Sequence, residues 1–147
     1  MHPTDLVLQF NEHINNRDAD GLGMLMSDDH EFIDTDGNVE RGRDRCLGAW
    51  RGFFNQFPDY RNTFVELTAR NDLVVVVGYS TCSVDVLDGP AIWTAHVRGD
   101  TISQWRVYHD TSETRQSLGV ATTGTGGDRA DPSSSTTSTR FRSRLAS

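Results

Sequence analysis

Lysine is absent from this chain of 147 residues, and all 14 of its basic residues are arginine. The absence excludes enzymes that depend on a lysine amine, such as Schiff-base enzymes, P-loop nucleotide hydrolases and protein kinases. Only two cysteines occur, Cys46 and Cys82, and they lie far apart without a CxxC spacing. We therefore expect two reduced, buried thiols rather than a disulfide framework. The histidines are scattered without metal-ligand spacing, so we expect neither a metal nor another cofactor.

Long apolar runs and positive charge are also scarce. The longest apolar run, residues 73–77, is far too short to cross a bilayer. The net charge of −7 and the pI of about 5.0 argue against a partner that is a nucleic acid or an anionic membrane. The first residues have no signal-peptide pattern, and we expect a cytoplasmic protein.

The composition changes near residue 120. Residues 120–147 are rich in Gly, Ser, Thr and Arg and have almost no apolar content. Such a segment buries too little surface to offset the entropy of ordering, so we predict one domain over residues 1–119 and a disordered tail over 120–147. The alternative is an arm that binds an acidic partner through Arg140, Arg142 and Arg144.

Apolar spacing predicts three helices, followed by strands. The helices run to about Asn16, from Asp18 to about residues 27–29, and from Arg43 to the Pro58 stop. A short strand at 30–34 leads into a turn at 35–38 and a return strand at 39–42. The remaining strands are predicted at 61–68, 73–87 with a bulge or bend at Gly78, 91–98 and 101–110. Helices followed by an antiparallel meander indicate an α+β fold, with helices covering one face of a strongly curved sheet that forms a cone around an internal cavity.

The closing strand mixes aromatic and titratable residues, which is typical of a small-ligand site. Side chains alternate along a strand, so Trp105, Val107 and His109 share one face. Arg106, Tyr108 and Asp110 lie on the other face, and His109 is the group predicted to point inward. It is then either an acid/base group or a core histidine bonded to a neighbour or a backbone carbonyl.

Aromatic residues supply the candidate ligand contacts. Two tyrosines are candidate donors to a ligand oxygen, although parity places Tyr108 opposite His109. The others are predicted to line or floor the cavity, or to be plain core. The candidates are Trp50, Phe54, Tyr79, Trp93, Trp105 and Tyr108.

In combination, several segments resemble the SnoaL-like branch of the nuclear-transport-factor-like superfamily. The resemblance covers about residues 4–115 and implies a cone-shaped α+β fold, frequent dimers and a deep apolar cavity. Its members include polyketide cyclases, ketosteroid isomerases, epoxide hydrolases, dehydratases and many non-enzymes. The matching segments are residues 10–18, 26–34, 42–43, 57–59 and 102–111.

The resemblance also implies roles for particular residues. Asp34 is similar to the general base of the ketosteroid isomerases; alternatively, it begins the turn and binds only backbone amides. Aligned on Trp105, His109 rather than Asp110 takes the place of the cyclases' acid/base aspartate. Val107 stands where the epoxide hydrolases carry an aspartate, which argues against that chemistry.

These observations predict a cofactor-independent acid/base enzyme, an isomerase, cyclase or dehydratase. Its substrate would be a small apolar carbonyl compound such as a polyketide or a steroid-like ligand, and we expect a homodimer. The catalytic candidates are Asp34, His109 and Asp110. One alternative is a non-catalytic ligand-binding or dimerisation module of the same fold. Another is an accessory protein whose Ser/Thr-rich tail engages a partner.

Overall fold

Four helices and one six-stranded sheet make up residues 2–121, the part of the chain that the structure, a computed structural model, describes. The predicted tail lies outside these residues, apart from Val120 and Ala121. The helices are α1 (Pro3–Asn15), α2 (Ala19–Leu25), α3 (Arg43–Gln56) and α4 (Ser112–Leu118). The strands are β1 (Met26–Ile33), β2 (Val39–Arg41), β3 (Arg61–Arg70), β4 (Leu73–Thr81), β5 (Gly89–Arg98) and β6 (Thr101–Tyr108).

The sheet has the order β2-β1-β6-β5-β4-β3 and is open. The pair β1 and β6 is parallel, and every other pair is antiparallel. Because β3 to β6 follow one another through short connections, they form the predicted meander. The α+β fold with a mixed, mostly antiparallel sheet is therefore confirmed.

The long helices follow their apolar spacing. In α1, Leu6, Val7, Phe10 and Ile14 are buried, and in α3 the buried face includes Trp50 and Phe53. Within the described residues, no helix is long and apolar enough to cross a membrane.

Several element boundaries differ from the predictions, among them that of the closing strand, which ends at Tyr108 rather than at residue 110. Three further differences are larger. The strand β1 begins at Met26 rather than residue 30, because Met26 packs into the core as the first strand residue. The predicted strand at 73–87 is two elements, since β4 ends at Thr81 and a 3-10 turn follows at Asp85–Leu87. The helix α4 was not predicted, although Thr111 caps its first turn and Gly119 ends it with φ at 70°.

The bend expected at Gly78 is a bulge in the neighbouring strand. The register of β3 against β4 shifts between Phe64 and Glu66, where Phe64 faces Gly78. A Cβ atom on Gly78 would lie 2.1 Å from the Thr63 carbonyl oxygen, so only glycine allows the two backbones to approach this closely.

The two faces of the sheet have different coverings. The inner face packs Val76, Trp93 and Trp105 into the hydrophobic core beneath the helices. The helix α4 starts after β6, and carbonyl oxygens at its end accept hydrogen bonds from Arg70 of β3. It therefore crosses the outer face, where Ile92 is fully buried.

Candidate functional site

Aromatic rings dominate the space between α3, α1 and the inner face of the sheet. The Trp50 ring lies 5.5 Å from that of Phe54, and Phe10 lies 4.7 Å from Trp105. Trp93 is equally buried and lies 5.1 Å from Phe64. Four of the predicted ligand contacts, Trp50, Phe54, Trp93 and Trp105, are thus in one apolar core.

The two tyrosine candidates lie on the outer face. Tyr79 alternates with the inward Ser80 and is 42% exposed. The ring of Tyr108 lies 4.7 Å from the guanidinium carbon of Arg106, its neighbour on that face. Strand alternation therefore turns both hydroxyls away from the space that the tryptophans line.

The Asp34 carboxylate is fully buried and makes three hydrogen bonds within its turn. Its Oδ1 accepts from the backbone N–H groups of Asp36 and Asn38, each at 2.9 Å. Its Oδ2 accepts from the side-chain amide of Asn38 at 3.1 Å. These are the contacts that the turn interpretation of Asp34 predicts.

Asp110 forms a bidentate ion pair with Arg115, with N–O distances of 2.6 and 2.9 Å. The hydrogen bond to Asp110 raises the pKa of Arg115 above its ordinary value. His109 is half-buried just beyond the end of β6. Because β1 and β6 are parallel neighbours, their C-terminal ends lie side by side. Asp34, His109 and Asp110 follow these ends and so lie at the same end of the sheet.

A histidine that the sequence interpretation passed over lies inside the core. His30 projects from the inner face of β1, and none of its surface is exposed. Its Nδ1–H donates to the Ile102 carbonyl oxygen at 2.6 Å, while its Nε2 has no hydrogen-bond partner among the described residues. Burial lowers the pKa of His30 to about 4. The ring is therefore neutral near pH 7, with a free acceptor at Nε2. Its two-residue spacing from the apolar Phe32 was the available signal.

A cluster of buried polar side chains joins α1 to the start of β3. The Tyr60 hydroxyl donates to Ser80 at 3.0 Å, and Ser80 donates to Asn62 Oδ1 at 2.7 Å. Asn11 Nδ2 donates to the Asn62 carbonyl oxygen at 3.2 Å. Two atoms of this cluster, Asn11 Oδ1 and Asn62 Nδ2, have no hydrogen-bond partner within residues 2–121.

Two surface clefts lie among the described residues, and one of them reaches the aromatic core. A cleft of about 540 Å³ between the α1–α2 corner and α3 is lined by Arg17, Asp20, Arg51 and Phe54. Phe54 also lies 5.5 Å from Trp50, so its ring borders both this cleft and the aromatic core. A cleft of similar volume on the outer face is polar, lined by Glu31, Arg41 and His96 among other residues.

The possible metal ligands and the two thiols were located in the described part of the chain. It contains no group of three or more His, Cys, Asp or Glu side chains arranged to hold a metal ion. Cys46 and Cys82 are both free and buried, as predicted. Burial raises the pKa of Cys46 to about 11, which keeps it as an unreactive thiol.

Comparisons with known proteins agree with this architecture. The family model of the SnoaL-like domain matches residues 7–120. No curated protein matches the sequence.

Solved structures of similar fold carry different names. A candidate polyketide cyclase from Sinorhizobium meliloti has a TM-score of 0.64 at 15% identity, over 73% of this chain and 99% of that one. A candidate ketosteroid isomerase from Kribbella flavida has a TM-score of 0.62 at 17% identity, over 72% and 76%. An epoxide hydrolase of M. tuberculosis, described as LEH-like, has a TM-score of 0.64 at 18% identity, over 72% and 80%. At these identities the likeness shows the fold alone.

Proposed function

Because this chain belongs to the SnoaL-like domain family, we propose that it is a cofactor-independent acid/base enzyme acting on a small, mostly apolar carbonyl compound. The reaction would be isomerisation, cyclisation or dehydration of a polyketide or a steroid-like ligand. The observation that carries the proposal is the unpartnered Nε2 of His30, a neutral base inside an aromatic core.

The chemistry follows from the orientation of His30. In the proposal, Nε2 takes a proton from the carbon beside the substrate carbonyl, which breaks a C–H bond and leaves an enolate. The Ile102 carbonyl oxygen, which already accepts from Nδ1–H, stabilises the imidazolium that forms. The same imidazolium returns the proton to another carbon or to oxygen, so no cofactor takes part.

Binding requires aromatic side chains to move. The rings of Trp50 and Phe54 lie 5.5 Å apart, and Phe54 also lines the α1–α2 cleft. A rotation of Phe54 would join the cleft to the interior. Apolar walls then exclude water and strengthen the interaction of charge with the base.

Proton exchange tests the proposal without knowledge of the natural substrate. The probe is 2-tetralone in D₂O, and NMR follows replacement of its protons beside the carbonyl. The intact protein should accelerate exchange, and His30→Gln should lower that rate by about 100-fold or more. His96→Gln, an exposed histidine on the outer face, is the matched control and should leave the rate unchanged.

Two further variants separate His30 from the residues that the resemblance implies. Asp34→Asn and His109→Gln should each retain most of the exchange rate. If either variant loses proton exchange while His30→Gln retains it, the base is one of the residues that follow β1 and β6, and our assignment of His30 is wrong.

A non-catalytic ligand-binding module is the second candidate. It is favoured by the carboxylates of Asp34 and Asp110, which are both engaged in hydrogen bonds that hold local structure. Under this alternative, 2-tetralone binds to the protein but exchanges its protons no faster than in buffer.

A further inference from the structure

The cluster of Asn11, Tyr60, Asn62 and Ser80 is a second polar feature of the same interior. Asn11 is 8% exposed and Asn62 only 1%. Buried polar atoms without a hydrogen bond are rare in proteins, because each one loses its water without compensation. Here a donor, Asn62 Nδ2, and an acceptor, Asn11 Oδ1, occur together in one cluster.

We propose that Asn11 and Asn62 bind the hydroxyl group of the ligand, which makes the ligand a hydroxylated or enolic apolar compound. A hydroxyl both accepts and donates, and so it matches one free N–H and one free oxygen. A ketone oxygen could satisfy only Asn62, and an apolar group neither. In the unliganded protein an ordered water would meet the same need and be displaced on binding.

The surroundings of the cluster suit the apolar part of such a ligand. The Tyr60 ring lies 4.7 Å from Phe53 of the aromatic core. On α1, Phe10 precedes Asn11 and its ring lies 6.1 Å from that of His30. Phe10 and Asn11 are consecutive on α1, so this helix contacts both the proposed base and the hydroxyl site. The inference rests on the proposed function in assuming that the ligand occupies this interior.

A third asparagine next to the cluster, Asn15, provides a control for substitutions of Asn11 and Asn62. Asn15 also binds the Asn62 backbone, through its side-chain nitrogen at 2.9 Å and its side-chain oxygen at 2.8 Å. Both polar atoms of Asn15 are engaged, so it anchors β3 without offering a free group. Asn15→Ala is therefore the matched control for Asn11→Leu and Asn62→Leu.

Calorimetric titration with two probes of nearly equal size tests the inference. They are 4-ethylphenol and 1-ethyl-4-fluorobenzene, in which fluorine replaces the hydroxyl. The intact protein should bind the phenol about tenfold more tightly. Asn11→Leu and Asn62→Leu should each bring the two affinities together, whereas Asn15→Ala should lower the melting temperature and keep the preference.

Stability gives an independent readout. Asn11→Leu removes one hydrogen bond but also an unsatisfied buried oxygen, so its melting temperature should equal or exceed that of the unmodified protein. A clear loss of stability would indicate a purely structural asparagine and contradict the inference. Asn62→Asp, which keeps the oxygen that Ser80 binds, replaces Asn62→Leu if the latter does not fold.

Equal binding of both probes by the intact protein overturns the hydroxyl site, as does a preference that survives in both asparagine variants. Binding of neither probe contradicts the interior ligand site as a whole. Failure of 2-tetralone exchange together with a retained hydroxyl preference would reject the catalytic proposal alone.

Discussion

His30 is the residue on which the chemical account depends. It occupies an inward position of β1, and one of its ring nitrogens donates a hydrogen bond to the Ile102 carbonyl oxygen. That bond fixes the tautomer, because the proton must be on Nδ1 for it to form. The other nitrogen is then the unprotonated one, and it has no hydrogen-bond partner among the described residues.

Burial of His30 predicts a stability change with pH. Its pKa is about 4 in the folded protein, below the ordinary value of 6.5, so the unfolded chain binds more protons between these values. The free energy of unfolding should therefore fall as the pH is lowered from about 6.5 to about 4, by roughly 3 kcal/mol for this group. Above pH 7 the contribution of His30 should be constant.

Urea unfolding of the intact protein and of His30→Gln at several pH values measures this effect. The variant should lose stability less steeply between pH 6.5 and 4. Equal slopes in both proteins would show that His30 is not buried in the neutral form. A direct NMR titration of the His30 ring, which should stay neutral down to about pH 5, provides the same test without a substitution.

Residue roles were the hardest feature to predict from the sequence. Alternation correctly placed Trp105 and Val107 inward, and the turn alternative for Asp34 matches its observed bonds. His30 was missed because its sequence neighbours, Asp29 and Glu31, are charged. A histidine between two charged residues does not look like an inward-facing position of a strand. Its missing partner at Nε2 is a property of the packed core, which spacing cannot show.

At the level of elements, Gly78 lies opposite the bulge in β3. The β3 bulge turns Val65 outward, where it is 67% exposed, and the backbone of Thr63 comes close to Gly78. Bulges increase local twist and bend the strand that carries them. The pair therefore shapes the concave inner face that holds the aromatic core.

A methyl group at position 78 should disturb this bend. Gly78→Ala should lower the free energy of unfolding by about 1–3 kcal/mol, since the new atom overlaps a backbone oxygen that cannot move freely. Gly52→Ala is the matched control, because a Cβ at this exposed position of α3 meets no atom within 4 Å. It should be neutral or stabilising by about 0.5–1 kcal/mol. A stable Gly78→Ala protein would contradict the close approach.

The elements differ in how far local sequence specifies them. The apolar stripes of α1 and α3 and the stop at Pro58 predicted those helices well. The seven residues of α4 contain no buried side chain. The helix is held by a hydrogen bond from Arg70, which is distant in sequence, and by the ion pair between Asp110 and Arg115. No apolar pattern within Ser112–Leu118 predicts such contacts. Only the capping residues Thr111 and Gly119 indicate a helix here.

For the whole molecule, the sheet separates two kinds of surface. Its inner face carries the aromatic core, His30 and the asparagine cluster. Its outer face carries α4, the exposed Tyr79 and a polar cleft. Helix-then-strand order sufficed to predict this α+β architecture. It could not predict which titratable groups would point inward, because a bulge in β6 brings both Ile102 and Trp105 to the core.

In our proposal, the interior beside His30 is the reactive site. A crystal structure of the protein saturated with 2-tetralone would show whether the ligand binds there. We predict the ligand between α3 and the inner face, with Phe54 rotated and the carbon beside the carbonyl within about 3.5 Å of His30 Nε2. A ligand bound only in the polar cleft of the outer face, with the aromatic core closed around His30, would contradict the account.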